Sequence, residues 1–211
     1  SSLSNPIYLG FGGNTCLFTE PCNLICNPHI ACGNINECGF MLLPTGWTSS
    51  HGTCDRCPGI NFTDNRCDYF ATPPDDGFIM MFSIGDEDRE EGVLASLTNS
   101  LIPNEYYRLT FWVQNVGTID NMTVRLISLP SLVGIVPTTI ADSYVIPSVL
   151  DNPQFCRTID TRHFPIVNPQ SWHEITIDFP ALPTDVNYDA LWIYIHNEDN
   201  YAYLGIDNFK L

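Results

Sequence analysis

Apolar residues recur at every second position in many short segments of this chain, and this spacing constrains the fold more than any other feature. Side chains on successive strand residues point to opposite faces, so a period of two predicts strands with one buried face. The segments that show it are residues 78–83, 93–98, 106–115, 122–128, 172–179, 191–197 and 204–211. Turns rich in proline and glycine separate them. Many short strands joined by such turns predict an all-β sandwich or barrel.

The segment from residue 130 to residue 168 is less regular, and its prolines are widely spread. It predicts long loops with one or two short strands. The chain has 211 residues, which suits one well-buried core and is short for two domains.

Charge excludes several classes of partner. Acidic residues outnumber basic ones 24 to 8, which gives a formal net charge of -16. Nucleic acids and anionic membranes are bound by clustered Lys and Arg, so we expect neither as a partner. No apolar run is long enough to span a membrane, so no membrane insertion is expected. The opening Ser1-Ser2-Leu3-Ser4 resembles a mature terminus after signal-peptide removal, which predicts a secreted or cell-surface protein.

Cysteines are concentrated in the first third of the chain. Such a cluster predicts disulfides and an oxidising compartment. The total of nine is odd, so at least one thiol is unpaired or bridges two chains. Zinc bound by three of these cysteines is the competing interpretation, although the spacing matches no zinc ribbon. The disulfide candidates are Cys16, Cys22, Cys26, Cys32, Cys38, Cys54, Cys57 and Cys67, and the zinc alternative uses the last three.

Aromatic and polar residues lie on the strand faces opposite the aliphatic ones. Aromatic rings stack on the C–H faces of sugars, and neighbouring polar groups bond hydroxyls, so such a face predicts a glycan site. The alternative is that loops or a neighbouring subunit cover these aromatics, which are then ordinary buried contacts. The candidates are Trp112, Trp192, Tyr194, Trp172, Arg108 and Gln114.

Several motifs, taken in order, resemble carbohydrate-binding-module-like jelly rolls. Residues 97–113 (LTNSLIPNEYYRLTFWV) resemble the signature "L…L.pg..Y.lsF.v", residues 172–179 (WHEITIDF) the "W..v...f" strand, and residues 204–211 (LGIDNFKL) the closing "yiDnv.l". Residues 23–28 (NLICNP) resemble the opening "NLvpNpsFE" of a branch found in secreted gliding- and adhesion-associated surface proteins of Bacteroidota. Residues 46–55 (GWTSSHGTCD) partly match the segment that follows in that branch.

The resemblance implies a two-sheet antiparallel jelly roll over residues 23–211, usually non-catalytic, with residues 1–22 as an N-terminal extension. Such jelly rolls often hold a structural calcium ion between a Glu after the first strand and the Asp of the last strand. Asp207 matches the second position, whereas Ala31 occupies the first. Glu20 or Glu37 could substitute, so a calcium ion is expected at Asp207 with Glu20 as its partner.

Other polar residues give only weak indications of metal binding or catalysis. The acidic run of residues 85–92 could bind calcium, or it could be a solvated turn, and it lacks EF-hand spacing. The chain contains neither Gly-x-Ser-x-Gly nor His-Glu-x-x-His. Cys156 with His163 could form a nucleophile pair, and Glu174 with Asp178 a carboxylate pair. We predict that no residue is catalytic and that the chain is not an enzyme.

The extension contains a strand-like segment in which Ile7, Leu9 and Phe11 share one face. Such an arm can add to an open sheet edge of a neighbour, and head-to-tail addition builds a filament. The alternative is that the arm folds back on its own sandwich. The leading prediction is therefore a structural or adhesive subunit of a cell-surface polymer, and the second is a lectin-like module that binds polysaccharide.

Overall fold

A computed structural model gives the fold of the protein. It describes residues 23–25, 28–30, 43, 46–58, 67–74, 77–85, 89–128, 153, 156–165, 171–181, 188–198 and 201–211. The strands in this part of the chain are β1 (Trp47–His51), β2 (Asp55–Pro58), β3 (Gly77–Ile84), β4 (Gly92–Ser96), β5 (Tyr106–Val116), β6 (Ile119–Ile127), β7 (Cys156–Phe164), β8 (His173–Pro180), β9 (Ala190–His196) and β10 (Tyr201–Lys210). A 3-10 turn at Cys67–Tyr69 lies between β2 and β3.

The strands form two five-stranded sheets that pack face to face. The first sheet has the order β1-β4-β9-β6-β7, and the second has the order β2-β3-β10-β5-β8. Every pair of neighbouring strands is antiparallel. The predicted all-β fold with two antiparallel sheets is confirmed.

The core lies between the sheets and is built from the aliphatic faces that alternation predicts. Leu109, Phe111 and Val113 of β5 are fully buried in it. The rings of Phe111 and Phe209 stack at 4.8 Å between centroids, with 5° between their planes. Burying side chains of this size stabilises a fold by about 1.5–3 kcal/mol each, so these strand faces drive the packing.

The seven predicted segments all contain strands, but β1 and β2 were not predicted and β7 is longer than predicted. β7 lies in the segment expected to hold only short strands, yet it has nine residues. Its sequence, CRTIDTRHF, lacks an apolar face because it is an edge strand, exposed or half-buried over most of its length. The predicted first strand is seen as a bridge between Ile25 and Leu97, and residues 26–27 and 31–42 lie outside the described part.

Two arginines of β7 close the side of the sandwich where both sheets have an edge strand. Arg157 Nη1 donates to the carbonyl oxygen of Pro180 at 3.1 Å. Arg162 Nη2 donates to the carbonyl oxygen of Thr176 at 2.8 Å. These carbonyls belong to the edge strand β8, so the side chains occupy acceptors that an added strand would otherwise use.

One disulfide is seen in the described part of the chain, between Cys57 and Cys67. Cys54 does not form the predicted disulfide and is a free, buried thiol. The Cys54 side chain packs into the core between the sheets, whereas those of Cys57 and Cys67 pack in a second apolar cluster. The three sulfurs therefore do not converge, and the zinc alternative is wrong. Cys16, Cys22, Cys26, Cys32 and Cys38 lie outside the described residues.

No helix in the described ranges is long and apolar enough to cross a membrane.

Candidate functional site

The predicted glycan residues do not share one face of the molecule. Trp112, Arg108 and Gln114 lie on β5, in the second sheet, whereas Trp192 and Tyr194 lie on β9, in the first sheet. Each set occupies the outer face of its own sheet, because the alternate residues of both strands fill the core. Alternation fixes which side chains of one strand share a face, but it does not say which strands share a sheet.

The outer face of the first sheet carries a closed aromatic cluster. Trp192 and Tyr194 stack at 4.4 Å, and the Arg125 guanidinium lies 5.1 Å from the Trp192 ring and 5.3 Å from the Tyr194 ring. Trp192 Nε1 donates to Ser50 Oγ at 2.8 Å. The Trp192 side chain is fully buried. A sugar could reach this ring only by displacing its neighbours, so ligand binding here stays a prediction.

His51 completes this cluster as a neutral side chain. Its ring lies edge-on to Trp192 at 6.1 Å, and Ser50 Oγ is 2.9 Å from its Nδ1 atom. Burial lowers the pKa of His51 from 6.5 to about 4. The Ser50 hydroxyl can accept from Trp192 and also either donate to or accept from His51 Nδ1, so this contact is compatible with both neutral tautomers of the ring.

On the second sheet, β5 and β8 present a polar strip to solvent. Arg108 donates to both carboxylate oxygens of Asp178, at 2.7 and 3.0 Å. This hydrogen bonding raises the pKa of Arg108 and lowers that of Asp178. Glu174 lies four residues before Asp178 on the same strand, which separates their Cα atoms by roughly 13 Å. Strand side chains stand roughly perpendicular to the sheet, so the two carboxyl groups are about as far apart as their Cα atoms. This separation exceeds the roughly 5–10 Å between the carboxyl groups of glycosidase pairs, so the geometry does not support this pair.

The other suggested catalytic pair is also separated. Cys156 and His163 lie at opposite ends of β7, seven residues apart. This corresponds to roughly 24 Å along a strand, so the two side chains cannot form a nucleophile and its base.

The centre of the outer face of the second sheet is covered by residues 67–71. Trp172 Nε1 donates to the carbonyl oxygen of Ala71 at 3.0 Å, and the Ala71 amide donates to Gln114 Oε1 at 3.1 Å. Gly205 makes this close packing possible, because a Cβ there would lie 2.8 Å from Trp172 Cη2 and 2.9 Å from Phe70 Cε1. The predicted residues Trp172 and Gln114 therefore hold the covering segment.

Beyond this covered centre, four aromatic side chains form what we call the tyrosine surface: Tyr69, Phe82, Tyr201 and Tyr203. Tyr69 is 53% exposed and Tyr201 is 52% exposed. Tyr203 contacts both, at 5.8 Å from Tyr69 and 4.8 Å from Tyr201 between ring centroids, and its hydroxyl hydrogen-bonds that of Tyr201. The Phe82 ring lies 6.3 Å from that of Tyr201. The result is a contiguous, partly exposed aromatic area with hydroxyl groups.

The side chains of the tyrosine surface are held in place by strand pairing, a disulfide and an apolar cluster. Three of its members are on paired strands, with Phe82 opposite Tyr203 in the β3–β10 register. Tyr69 belongs to the 3-10 turn that the Cys57–Cys67 disulfide ties to β2. Below them lies the second apolar cluster, which includes Phe70, Phe78 and Met80. Rings held in this way lose little conformational freedom when a ligand binds.

Sequence reasoning missed this surface. The last strand was predicted to begin at residue 204, whereas β10 begins at Tyr201. Had the alternation been extended backwards, Tyr201 and Tyr203 would have been found on the face opposite Leu204. No sequence signal connects Tyr69 to them, because the disulfide and the chain path bring it there.

Glu91 is a second residue that sequence reasoning missed, because it belongs to an acidic run interpreted as solvated or calcium-binding. It is 1% exposed. Its Oε1 atom accepts from the amide and the hydroxyl of Thr53, at 2.9 and 3.1 Å, and its Oε2 atom accepts from the Phe82 amide at 2.9 Å. Burial raises the pKa of Glu91 from 4.5 to about 8. The adjacent Glu90 pairs instead with His196, at the margin of the first sheet.

The calcium prediction finds no support in the described geometry. Asp207 is fully buried on β10, and its predicted partner Glu20 lies outside the described residues. Within the described ranges, no three side chains of the His, Cys, Asp and Glu types come together as a metal site. Calcium at Asp207 therefore stays a prediction. The arm residues Ile7, Leu9 and Phe11 also lie outside the described residues, so filament assembly is equally untested.

Comparison with known proteins places this geometry in a broad class of β-sandwiches. No protein-family model and no curated protein sequence matches the chain. The apo form of a cyclase from Fischerella sp. is similar in structure, with a TM-score of 0.54 and 15% identity over 90% of this chain and 94% of the cyclase.

Two further solved structures have lower TM-scores. The carbohydrate-binding module TmCBM61, solved with β-1,4-galactotriose, has a TM-score of 0.45 and 10% identity over 89% of this chain and 96% of the module. The K2 cleaved adhesin domain of Lys-gingipain has a TM-score of 0.46 and 11% identity over 87% of this chain and 94% of the domain. The solved structures similar to this chain thus include a carbohydrate-binding module and an adhesin domain, while the resemblance to gliding-associated proteins of Bacteroidota stays a prediction.

The cyclase likeness corrects one prediction. We predicted that the chain is not an enzyme because jelly rolls of this kind are mostly non-catalytic. That inference is contradicted, since the solved structures similar to this chain include an enzyme on the same fold. Function is carried by sites and not by the fold, so the architecture gives no reason to exclude catalysis.

Proposed function

We propose that the protein binds neutral carbohydrate through the tyrosine surface on the outer face of the second sheet. The observation that carries the proposal is the pair of half-exposed rings, Tyr69 and Tyr201, that contact a common buried partner, Tyr203. The C–H faces of a sugar can stack on exposed rings that are held in one area, and the ring hydroxyls can form hydrogen bonds with the sugar.

The charge of the chain supports a neutral ligand. A net charge of -16 repels polyanions, so acidic polysaccharides are disfavoured. The presence of an oxidised Cys57–Cys67 pair supports action outside the cell, because cytosolic thiols are kept reduced. We infer a secreted or cell-surface module that holds a glycan, which agrees with the lectin-like alternative and with an adhesive role.

The test is binding to a panel of neutral oligosaccharides: galactotriose, cellotriose, mannotriose and xylotriose. The Tyr69→Ala and Tyr201→Ala variants should each weaken binding to any member that the wild type binds by about tenfold, which corresponds to roughly 1.4 kcal/mol for one lost aromatic contact. Tyr106→Ala is the matched control, because Tyr106 is 83% exposed and lies on β5, away from the tyrosine surface. Wild-type protein that binds no member, or variants that bind as the wild type does, would refute the proposal.

A further inference from the structure

We propose that the buried carboxyl group of Glu91 controls the tyrosine surface in a pH-dependent manner, keeping it competent when protonated and loosening it when the proton is lost. This inference rests on the function proposed above and adds a regulation to the same site.

Glu91 connects the two sheets at the end where the tyrosine surface lies. Its backbone carbonyl accepts from the Ile195 amide of β9 at 3.2 Å, which anchors the residue to the first sheet. Its side chain accepts from the Phe82 amide of β3, in the second sheet. Phe82 is itself a member of the tyrosine surface, with its ring next to Tyr201 and Tyr203. One side chain thus fixes the backbone from which part of the binding surface projects.

The local sequence makes room for this side chain. Gly52 has a φ of +69°, and a Cβ at that position would lie 2.5 Å from Glu91 Cγ. A residue with a side chain at position 52 would therefore be strained twice, by its backbone conformation and by the Glu91 contact. The connection between β1 and β2 folds around the carboxyl group, and Thr53 in this connection supplies two of its three donors.

Among the described residues, the groups that donate to the Glu91 carboxyl group belong to Thr53 and Phe82, and neither is a cation. Of the basic residues nearby, Arg56 of β2 donates from Nε to the carbonyl oxygen of Ile30, and Arg89 is exposed.

Asp55 of β2 has the same sign as a Glu91 carboxylate and raises the pKa of Glu91 further, and Cys54, just before β2, is a buried neutral thiol whose own pKa is raised by burial and by Glu91. β1 contributes His51, which is neutral. On the adjacent β9, His196 is engaged by Glu90. β3, with the sequence GFIMMFSI, has no titratable residue.

The consequence of ionisation follows from this environment. A neutral carboxyl group can accept from both Thr53 groups on Oε1 and carry its proton on Oε2, whose remaining lone pair accepts from the Phe82 amide. The same three hydrogen bonds favour a carboxylate, but the loss of hydration on burial outweighs them, so a negative charge on Glu91 is costly in this place. The carboxylate relaxes by moving towards water, which releases the Phe82 amide and loosens the adjacent rings.

The direct test is an NMR titration of the Phe82 backbone amide from pH 6 to pH 9.5, without ligand. We expect its proton shift to move with a midpoint of about 8, the pKa of Glu91, and the shifts of the Tyr201 and Tyr203 rings to follow. In Glu91→Gln, which cannot ionise, the transition should be absent. An unchanged Phe82 shift in the wild type, or the same transition in the variant, would overturn the switch.

A second experiment measures affinity for the same oligosaccharide panel at pH 6.5 and pH 9. If only the protonated state binds, a group with the pKa of Glu91 lowers the apparent affinity by about tenfold at pH 9. Glu91→Gln should bind equally at both pH values. If affinity at pH 9 falls equally in the wild type and the variant, or falls in neither, the inference about Glu91 is overturned. If the wild type binds no member of the panel at both pH values, the proposed function is overturned, and the amide titration alone decides whether Glu91 is a switch.

Discussion

The stability of the fold should fall as pH rises from 6.5 to 8, and Glu91 should be the cause. Its pKa is raised from 4.5 in the unfolded chain to about 8 in the folded protein. Between these values the folded state holds the proton more tightly than the unfolded state does. The stabilisation is therefore complete below pH 4.5 and is lost as pH rises to 8, at about 1.4 kcal/mol per pH unit.

His51 acts in the opposite direction over a lower range. Burial lowers its pKa from 6.5 to about 4, so the folded state binds its proton less tightly and stability from this group rises between pH 4 and pH 6.5. Up to pH 6.5, Glu91 lowers and His51 raises the free energy of unfolding as pH rises. Above pH 6.5, only the decrease caused by Glu91 remains. Over 1.5 pH units this amounts to about 2 kcal/mol.

Urea denaturation at pH 6.5, 7, 7.5 and 8 measures this slope in the wild type and in Glu91→Gln. The variant leaves the Phe82 amide opposed by an NH₂ group, which lowers its stability at every pH, but its slope lacks the Glu91 contribution. We expect the wild type to lose about 2 kcal/mol more than the variant across the range. Parallel curves for the two proteins would refute the assignment of a neutral, buried carboxyl group to Glu91.

Three further outcomes follow from the structure. Replacing Cys57 and Cys67 together by Ser should lower the free energy of unfolding by about 3 kcal/mol, because the disulfide closes a short loop, and an unchanged urea midpoint would contradict it. Gly205→Ala should cost about 1–3 kcal/mol in thermal or urea denaturation, because the added methyl group meets Trp172 and Phe70; a variant as stable as the wild type would show that these rings move freely. Deleting residues 1–15 should convert a polymer to a monomer in light scattering if the arm joins subunits, and an unchanged particle size would exclude that role.

Much of the fold could be predicted from the sequence, because the core depends on a local pattern. The alternation in β5 and β9 correctly identified the buried faces that contain Phe111 and Ile193. The order of the strands could not be predicted, since β10 lies between β3 and β5, far from its sheet neighbours in sequence. This is why Trp112 and Trp192 were expected on one face although they lie on different sheets.

The candidate site was harder to predict than the fold, for physical reasons that differ between its parts. Tyr201 was missed because the apolar pattern of β10 was recognised only from its later residues. Glu91 was missed because carboxylates are mostly exposed, and only the tertiary structure shows that Thr53 and Phe82 donate to it. Tyr69 depends on a disulfide whose pairing the sequence does not specify.

The central claim, that the tyrosine surface binds neutral glycan, is tested most directly by mapping amide shift changes in ¹H–¹⁵N NMR spectra as an oligosaccharide of the panel is added at pH 6.5. We expect the largest changes at Tyr69, Phe82, Tyr201 and Tyr203. Changes concentrated instead on the outer face of the first sheet, around Trp192 and Tyr194, would contradict this claim.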